Sequence, residues 1–219
     1  MSSPILQLLV LAGIAIFLIL RLRSVLGTRE GYEKPPAPTQ PHADTRSSTF
    51  EVIEGGPDPD ITDHVAEDSQ AARALAQMKA VEPHFNVAEF LTGARAAYEM
   101  ILMGFEKGDL SEVKDFLAED VHDSFAEVIA AREQQGLTVE AEFVGVREMT
   151  LNAAEFDPKT QTAEMTVRFL GQIIQVVRDA SGDIVEGEPG KVKTLKDSWT
   201  FERKMGSDDL NWYLVATGE

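Results

Sequence analysis

The chain has 219 residues, enough for one domain with accessories or two very small domains. Its 37 acidic against 20 basic side chains give a formal net charge of −17, which disfavours nucleic acid and anionic lipid headgroups as ligands. It has no cysteine, which excludes disulfides, thiolate nucleophiles and Cys-ligated metal or iron–sulfur sites.

The apolar residues are unevenly spread. From Ile5 to Leu20 only Gln7 is polar. Pro4 to Val25 is about 22 residues, or about 33 Å of helix, against a bilayer core of about 30 Å. Arg21 and Arg23 follow as membrane-interface residues whose cationic ends can snorkel to the headgroups. A cleaved signal peptide is the rival reading, but no Lys or Arg precedes the run and no small-x-small site ends it. A buried core helix is the third. Residues 1–26 are therefore expected to be an uncleaved transmembrane anchor. Arg21, Arg23 and Arg29 on its C-terminal side place the N-terminus in the periplasm and the bulk of the chain in the cytoplasm by the positive-inside rule.

Residues 27–68 read as a disordered, acidic, Pro-rich linker, with six prolines from Pro35 to Pro59 and weak apolar periodicity. Phe50-Glu51-Val52-Ile53 is an apolar island within it, open to reading as chance or as a docking motif. Residues 69–83 read as a linker helix from Ser69 to Val81, rich in alanine and ended by Pro83. It is expected either to lie on the domain or to stand exposed as a recruitment helix.

Residues 84–219 carry the domain signal. Asn86 with Glu89 three residues on makes a capping box, and Val87, Phe90, Leu91, Ala94, Tyr98, Ile101, Leu102 and Phe105 recur at helical spacing. Gly108 ends this helix. A second helix is expected around Val113, Phe116 and Leu117, and a third around Val121, Phe125, Val128 and Ile129. The period then becomes two. Strands are expected over Thr138–Leu151, Thr162–Val177, Lys191–Lys204 and Asn211–Thr217, with a polar loop over Glu186–Gly190 and a bulge or bend at Gly171. Helices followed by a four-strand antiparallel meander make an α+β domain with the helices on one face of the sheet. Long strands with glycine bends suggest a sheet curled into a half-open cone.

The stretch FLTGARAAYEMILMGFEKGDLSEVKDFL, Phe90 to Leu117, resembles the first helices of the Tim-type inner-membrane import-motor adaptor family. DSWTFER, Asp197 to Arg203, and NWYLVATGE, Asn211 to Glu219, resemble its closing strands. The anchor and acidic linker resemble the bacterial membrane-anchored branch, the TimA-like putative adaptors. The resemblance covers about 135 residues, from His84 onward. It implies a cone-shaped fold like nuclear transport factor 2, with an apolar pocket, and a role in tethering translocation components or a DnaK-type chaperone at the inner membrane. Mitochondrial members contact cardiolipin through basic amphipathic helices before the domain. The corresponding segment here is acidic, and attachment is expected from the N-terminal helix instead.

No P-loop, dinucleotide fingerprint, HExxH or GxSxG motif is present. Of the histidines His42, His64, His84 and His122, none has ligand spacing. Glu119, His122 and Asp123 read as a solvated helix start. No catalytic residue, metal or cofactor is expected. The candidate pocket residues are Phe90, Tyr98, Phe125, Phe143, Val167, Phe169, Trp199 and Trp212, among which only Tyr98 and the indoles carry polar atoms. The expected function is a non-enzymatic membrane-tethered adaptor with protein partners: translocation components, a chaperone or membrane-complex subunits. The alternatives are a small-molecule or lipid carrier (less so an isomerase or dehydratase) using the cone, and a structural role through self-association.

Overall fold

The computed structural model describes residues 58–218. The anchor expected over 1–26, with Arg21 and Arg23, and the linker as far as Pro57 lie outside the described residues. Among those described, no helix is long and apolar enough to cross a membrane.

The end of the expected linker is folded, which corrects the reading of 27–68 as uniformly disordered. A short helix, α1 (Pro59–Thr62), is capped by the Asp58 side chain, which accepts from the Asp60 amide. Ile61 enters the core. Asp60 then reaches 27 residues forward and accepts from the amides of Val87 at 2.8 Å and Ala88 at 3.2 Å. Lys79 bridges Asp58 and Asp60, both at 2.7 Å.

Helix α2 (Gln70–Val81) starts at Ser69, whose hydroxyl accepts from the Ala72 amide. Of the two placements open to it, the structure has it packed against the sheet: Leu75 and Met78 are fully buried. Helix α3 (Val87–Lys107) starts at the expected N-cap, with Asn86 Oδ1 accepting from the Glu89 amide at 2.8 Å; the reciprocal bond of a full capping box, from the Asn86 amide to the Glu89 side chain, is absent among the described residues. Together with the Asp60 contacts, its first three amides, Val87 to Glu89, are all satisfied. It ends on Gly108 in the left-handed region at φ 75°, whose N–H returns to the Phe105 and Gly104 carbonyls. Val87, Phe90, Leu91, Ala94, Tyr98, Ile101 and Leu102 are buried, and Phe105 is half-buried.

The expected second helix is only a 3₁₀ turn at Lys114–Phe116. Val113 and Leu117 are buried on either side of it, but the chain between them is too short for an α-helix to develop. Helix α4 (Glu119–Gln134) follows and ends before Gly136 as expected.

Four antiparallel strands then pair in chain order: β1 (Thr138–Asp157), β2 (Thr162–Arg178), β3 (Ile184–Lys204) and β4 (Tyr213–Gly218). The α+β class and the four-strand meander agree with the expectation. One local expectation does not hold and a second is met only in the neighbouring strand. The polar loop over Glu186–Gly190 is part of β3: Glu186 and Gly187 pair with Val177 and Val176, between one register shift after Ile184 and a second before Val192 meets Ile174. Gly171 is not a bulge on the β2–β3 ladder, where it sits in register opposite Leu195. On the β1–β2 ladder the register shifts at Phe143/Gly145, Val146/Glu148 and Leu151/Ala153, the second of them opposite Gly171 and Leu170, and bulges of this kind bend a strand. Gly171 instead makes room for Tyr98: a Cβ there would overlap the Tyr98 hydroxyl and stand 2.9 Å from Cε1 and Cζ.

The inner face of the sheet follows strict alternation. Ala163, Met165, Val167, Phe169 and Ile173 of β2 are wholly buried, and Trp199 and Phe201 of β3 nearly so. The opposite face carries Thr162, Glu164, Thr166 and Arg168 of β2, with Thr166 and Thr200 sharing a hydrogen bond of 2.9 Å across the strands.

Candidate functional site

The eight candidate pocket residues do not line one cavity. Tyr98, Val167, Phe169 and Trp199 fill the space between α3 and the sheet. The Tyr98 ring stacks on Phe169 at 4.3 Å with an 11° interplanar angle, lies 4.7 Å from Trp199, and meets the half-buried Phe143 edge-on at 6.3 Å. Phe125 lies elsewhere, against Phe105 at 4.7 Å, and the Arg132 guanidinium caps that pair 4.4 Å above Phe105. Phe90, buried, and Trp212, half-buried, are 4.7 Å apart in an edge contact and line a groove at a third place.

A carboxylate enters the aromatic interior. Asp197 Oδ2 accepts from the Tyr98 hydroxyl at 2.5 Å. Burial, and next the hydrogen bond to Asp197 and its negative charge, push the Tyr98 phenol far above its ordinary pKa, so it remains a donor. Asp197 shares the parity of Trp199 and Phe201 on β3. That alternation is the sequence signal for an inward carboxylate, and attention to aromatic and apolar positions alone passes over it.

The open site is a groove of about 500 Å³ between the first half of α3 and the β3–β4 end of the sheet. Its apolar surface comes from Phe85, Phe90, Ala97, Met100, Phe116 and Trp212, and Gly93 forms a flat stretch of wall with nothing within 4 Å of a Cβ placed there. Phe85 and Phe90 flank the capping box at the positions of a hydrophobic staple, and each packs on Trp212. Met100, on the α3 wall, remains 40% exposed.

A buried cation lies at one end of the groove. Arg203 is only 8% exposed, continuing the inward alternation of Trp199 and Phe201. Its guanidinium pairs with Glu82, which follows α2, and lies 5.4 Å from the Trp212 ring. Glu82 also accepts from the Gly206 amide at 2.6 Å. Arg203 Nε has no hydrogen-bond partner among the described residues. Among those residues no group of three or more His, Cys, Asp or Glu side chains is arranged to hold a metal ion. His122 lies 3.2 Å from Asp123 at the surface, and His84 lines the groove.

The groove and the filled interior belong to a stretch of chain with known relatives, and the cap at Asp60 precedes it. The family model described as Tim44-like domain matches residues 71–219. The human mitochondrial import inner membrane translocase subunit TIM44 is 24% identical over 148 residues, covering 67% of this chain and 32% of that protein. The mouse subunit is 22% identical over the same shares. This chain thus spans about a third of the length of the relatives it matches. Among solved structures, the intermembrane space region of chloroplast protein ARC6 aligns at a TM-score of 0.40 and 10% identity, over 60% of this chain and 92% of that one, too distant to carry function. With the family model matching from within α2 to the last residue, the chain belongs to the Tim44-like domain family.

Proposed function

We propose that this domain is a non-catalytic docking module that holds a protein partner in the Phe90–Trp212 groove, in a translocation-related adaptor. The observation that carries the reading is the contrast between interior and surface. The interior is closed by Tyr98 and its stacked neighbours, whereas the groove is open, apolar and preformed on a capped helix. Apolar clefts with a few fixed polar groups are the usual form of a recognition surface. The family relationship favours a partner from the protein-translocation apparatus or its chaperones. In this reading residues 1–26 anchor the chain in a bacterial inner membrane, the domain works on the cytoplasmic side, and the protein falls in the membrane-anchored, TimA-like branch. The sheet and α3 form a cone of the nuclear transport factor 2 kind. A tether raises the local concentration of the domain near membrane partners.

The test is site-specific photocrosslinking in the native host, with the photoreactive residue at Met100 in the full chain. The expected result is a discrete protein adduct that disappears when Gly93→Arg obstructs the groove. Adducts no different from those of a probe at Val144, on the sheet away from the groove, would refute the reading. The volume of the groove also suits a small apolar ligand. A ligand released from the purified protein and lost in the Gly93→Arg variant, with no protein adduct at Met100, would favour that second reading.

A further inference from the structure

Strand β4 covers β3 only from Ser198 to Glu202. N-terminal to that, Val192 to Lys196 stay paired with β2, from Ile174 to Leu170, and among the described residues no strand pairs with their other edge. In an antiparallel sheet successive residues direct their N–H and C=O groups to alternate sides. Among the described residues, part of the backbone over Val192–Lys196 therefore has no pairing strand, along about 17 Å, the length of an ordinary strand. Such an edge is a template for strand addition.

The side chains specify what can add. In a chain of net charge −17, Lys191, Lys193 and Lys196 fall within six residues, and Arg168 stands beside them, opposite Ser198. Lys191 is paired with Glu188 at 2.6 Å and Lys193 with Glu186 at 3.5 Å. Arg168 and Lys196 form no salt bridge among the described residues, and with Asn152, Thr194, Asp197 and Ser198 they line a polar cleft of about 590 Å³ beside the edge; Asp197 is the one carboxylate there and is engaged by the Tyr98 hydroxyl. Lysines on an edge oppose pairing with a like strand, so a second copy of this edge fits poorly. A strand carrying carboxylates matches both the free backbone and the two unpaired cations.

We propose that the Val192–Lys196 edge of β3 receives an extended acidic segment of a partner protein as a fifth strand, in line with β4, with its carboxylates on Arg168 and Lys196. This surface lies apart from the Phe90–Trp212 groove and stands without it.

The experiment uses the full chain in neutral detergent and a fluorescein-labelled peptide of eight alternating Glu and Val residues, read by anisotropy. Saturable binding is expected, weakened about tenfold or more by the pair Arg168→Glu and Lys196→Glu. Both side chains are exposed, and Lys196→Ser provides a milder variant if the reversal disturbs folding. Two further peptides of the same charge carry N-methyl groups on alternate residues, one in each phase. One phase should abolish binding and the other keep it, because only one phase presents its N–H groups to β3. Equal binding by both N-methylated peptides would reduce the contact to charge attraction and overturn the proposal, as would no saturation at millimolar peptide. Gly93→Arg should leave peptide binding unchanged; its loss in that variant would put the peptide in the groove and sink the edge assignment while leaving the groove reading intact.

Discussion

Tyr98 packs directly over Gly171, and a double-mutant cycle at this pair tests whether the interior is full. Gly171 does not occupy the left-handed region, so alanine meets no torsional penalty and its cost is purely steric. Its Cβ would overlap the Tyr98 hydroxyl and crowd Cε1 and Cζ at 2.9 Å. Tyr98 has no free direction to yield, since Phe169 stacks on one face and Trp199 lies 4.7 Å away. Overpacking of this kind costs about 1–3 kcal/mol, and the full burial of Tyr98 points to about 2–3 kcal/mol for Gly171→Ala. Tyr98→Phe removes the hydrogen bond to Asp197, worth about 1.5–2 kcal/mol because the acceptor is a carboxylate. It also removes the atom that the new Cβ would strike first. The double variant should therefore cost less than the sum of the two by about 1 kcal/mol. Both tryptophans of the chain, Trp199 and Trp212, lie in this domain, so urea unfolding of the full chain followed by tryptophan fluorescence reads the cycle directly. Costs that add to within about 0.5 kcal/mol, or a neutral Gly171→Ala, would show that Tyr98 has room to move and that the interior is not closed.

Three further outcomes follow from single side chains. Gly93→Ala, exposed in mid-α3 with open space at its Cβ, should stabilise the domain by about 0.5–1 kcal/mol in the same unfolding assay, and a loss instead would mean that the groove wall is tighter there than the structure has it. Asp60→Asn should cost about 1–2 kcal/mol at pH 7. Burial raises the Asp60 pKa, but the Lys79 hydrogen bond and the Val87 and Ala88 amides outweigh it and hold it below the ordinary value of 3.8; its stabilisation is thus complete above that value and lost as pH falls through the lowered one, and an unfolding profile in which the variant and the parent differ equally at pH 7 and at pH 2 would contradict this. Glu164 behaves oppositely. Loss of water around its carboxylate, then the charges of Glu202 and Glu155 directly across the strands, raise its pKa above 4.5, so its contribution is most favourable at low pH and declines as pH rises through the raised value. Glu164→Gln should therefore stabilise by about 0.5 kcal/mol at pH 7, a figure kept small by its exposure, with the gain vanishing near pH 3; destabilisation at pH 7 would contradict the repulsion.

Features encoded within a few residues are legible in the amino-acid sequence. The Asn86 half of the capping box, the α3 stripe through Tyr98, the stop at Gly108 and the alternation of β2 are local patterns, and each is realised. The features that sequence reasoning misses depend on contacts distant along the chain. Pro59–Thr62 looks like linker because only Ile61 is apolar there, and its order comes from Asp60 capping a helix 27 residues on and from Lys79. Gly171 carries no local sign that a tyrosine from another element occupies its missing side chain's place. The candidate pocket residues have the right inward parity on β2 and β3, but parity cannot tell a filled interior from an open one, so it groups Tyr98, Phe169 and Trp199 with Phe90 and Trp212. Arg203 and Asp197 have that same parity, and following it through charged residues finds them.

The groove is joined to the segment that enters the domain. Lys79 binds Asp58 and Asp60, and Asp60 caps α3, the helix that forms one wall of the groove. Three residues past Lys79, Glu82 binds Arg203 and the Gly206 amide on the opposite wall. The entering chain is thus fixed to both walls through charged groups that are mostly shielded from water, where an ion pair resists removal of one partner more than it does at the surface. The Asp60 contacts thereby bear on the helix that carries Phe90, and the Glu82 contact on Arg203, which lies 5.4 Å from the Trp212 ring. Gly93→Arg obstructs the groove without touching them, whereas Glu82→Ala removes them from one wall and leaves Arg203 buried without its carboxylate. The two variants therefore separate a groove that is blocked from a groove that has lost its shape.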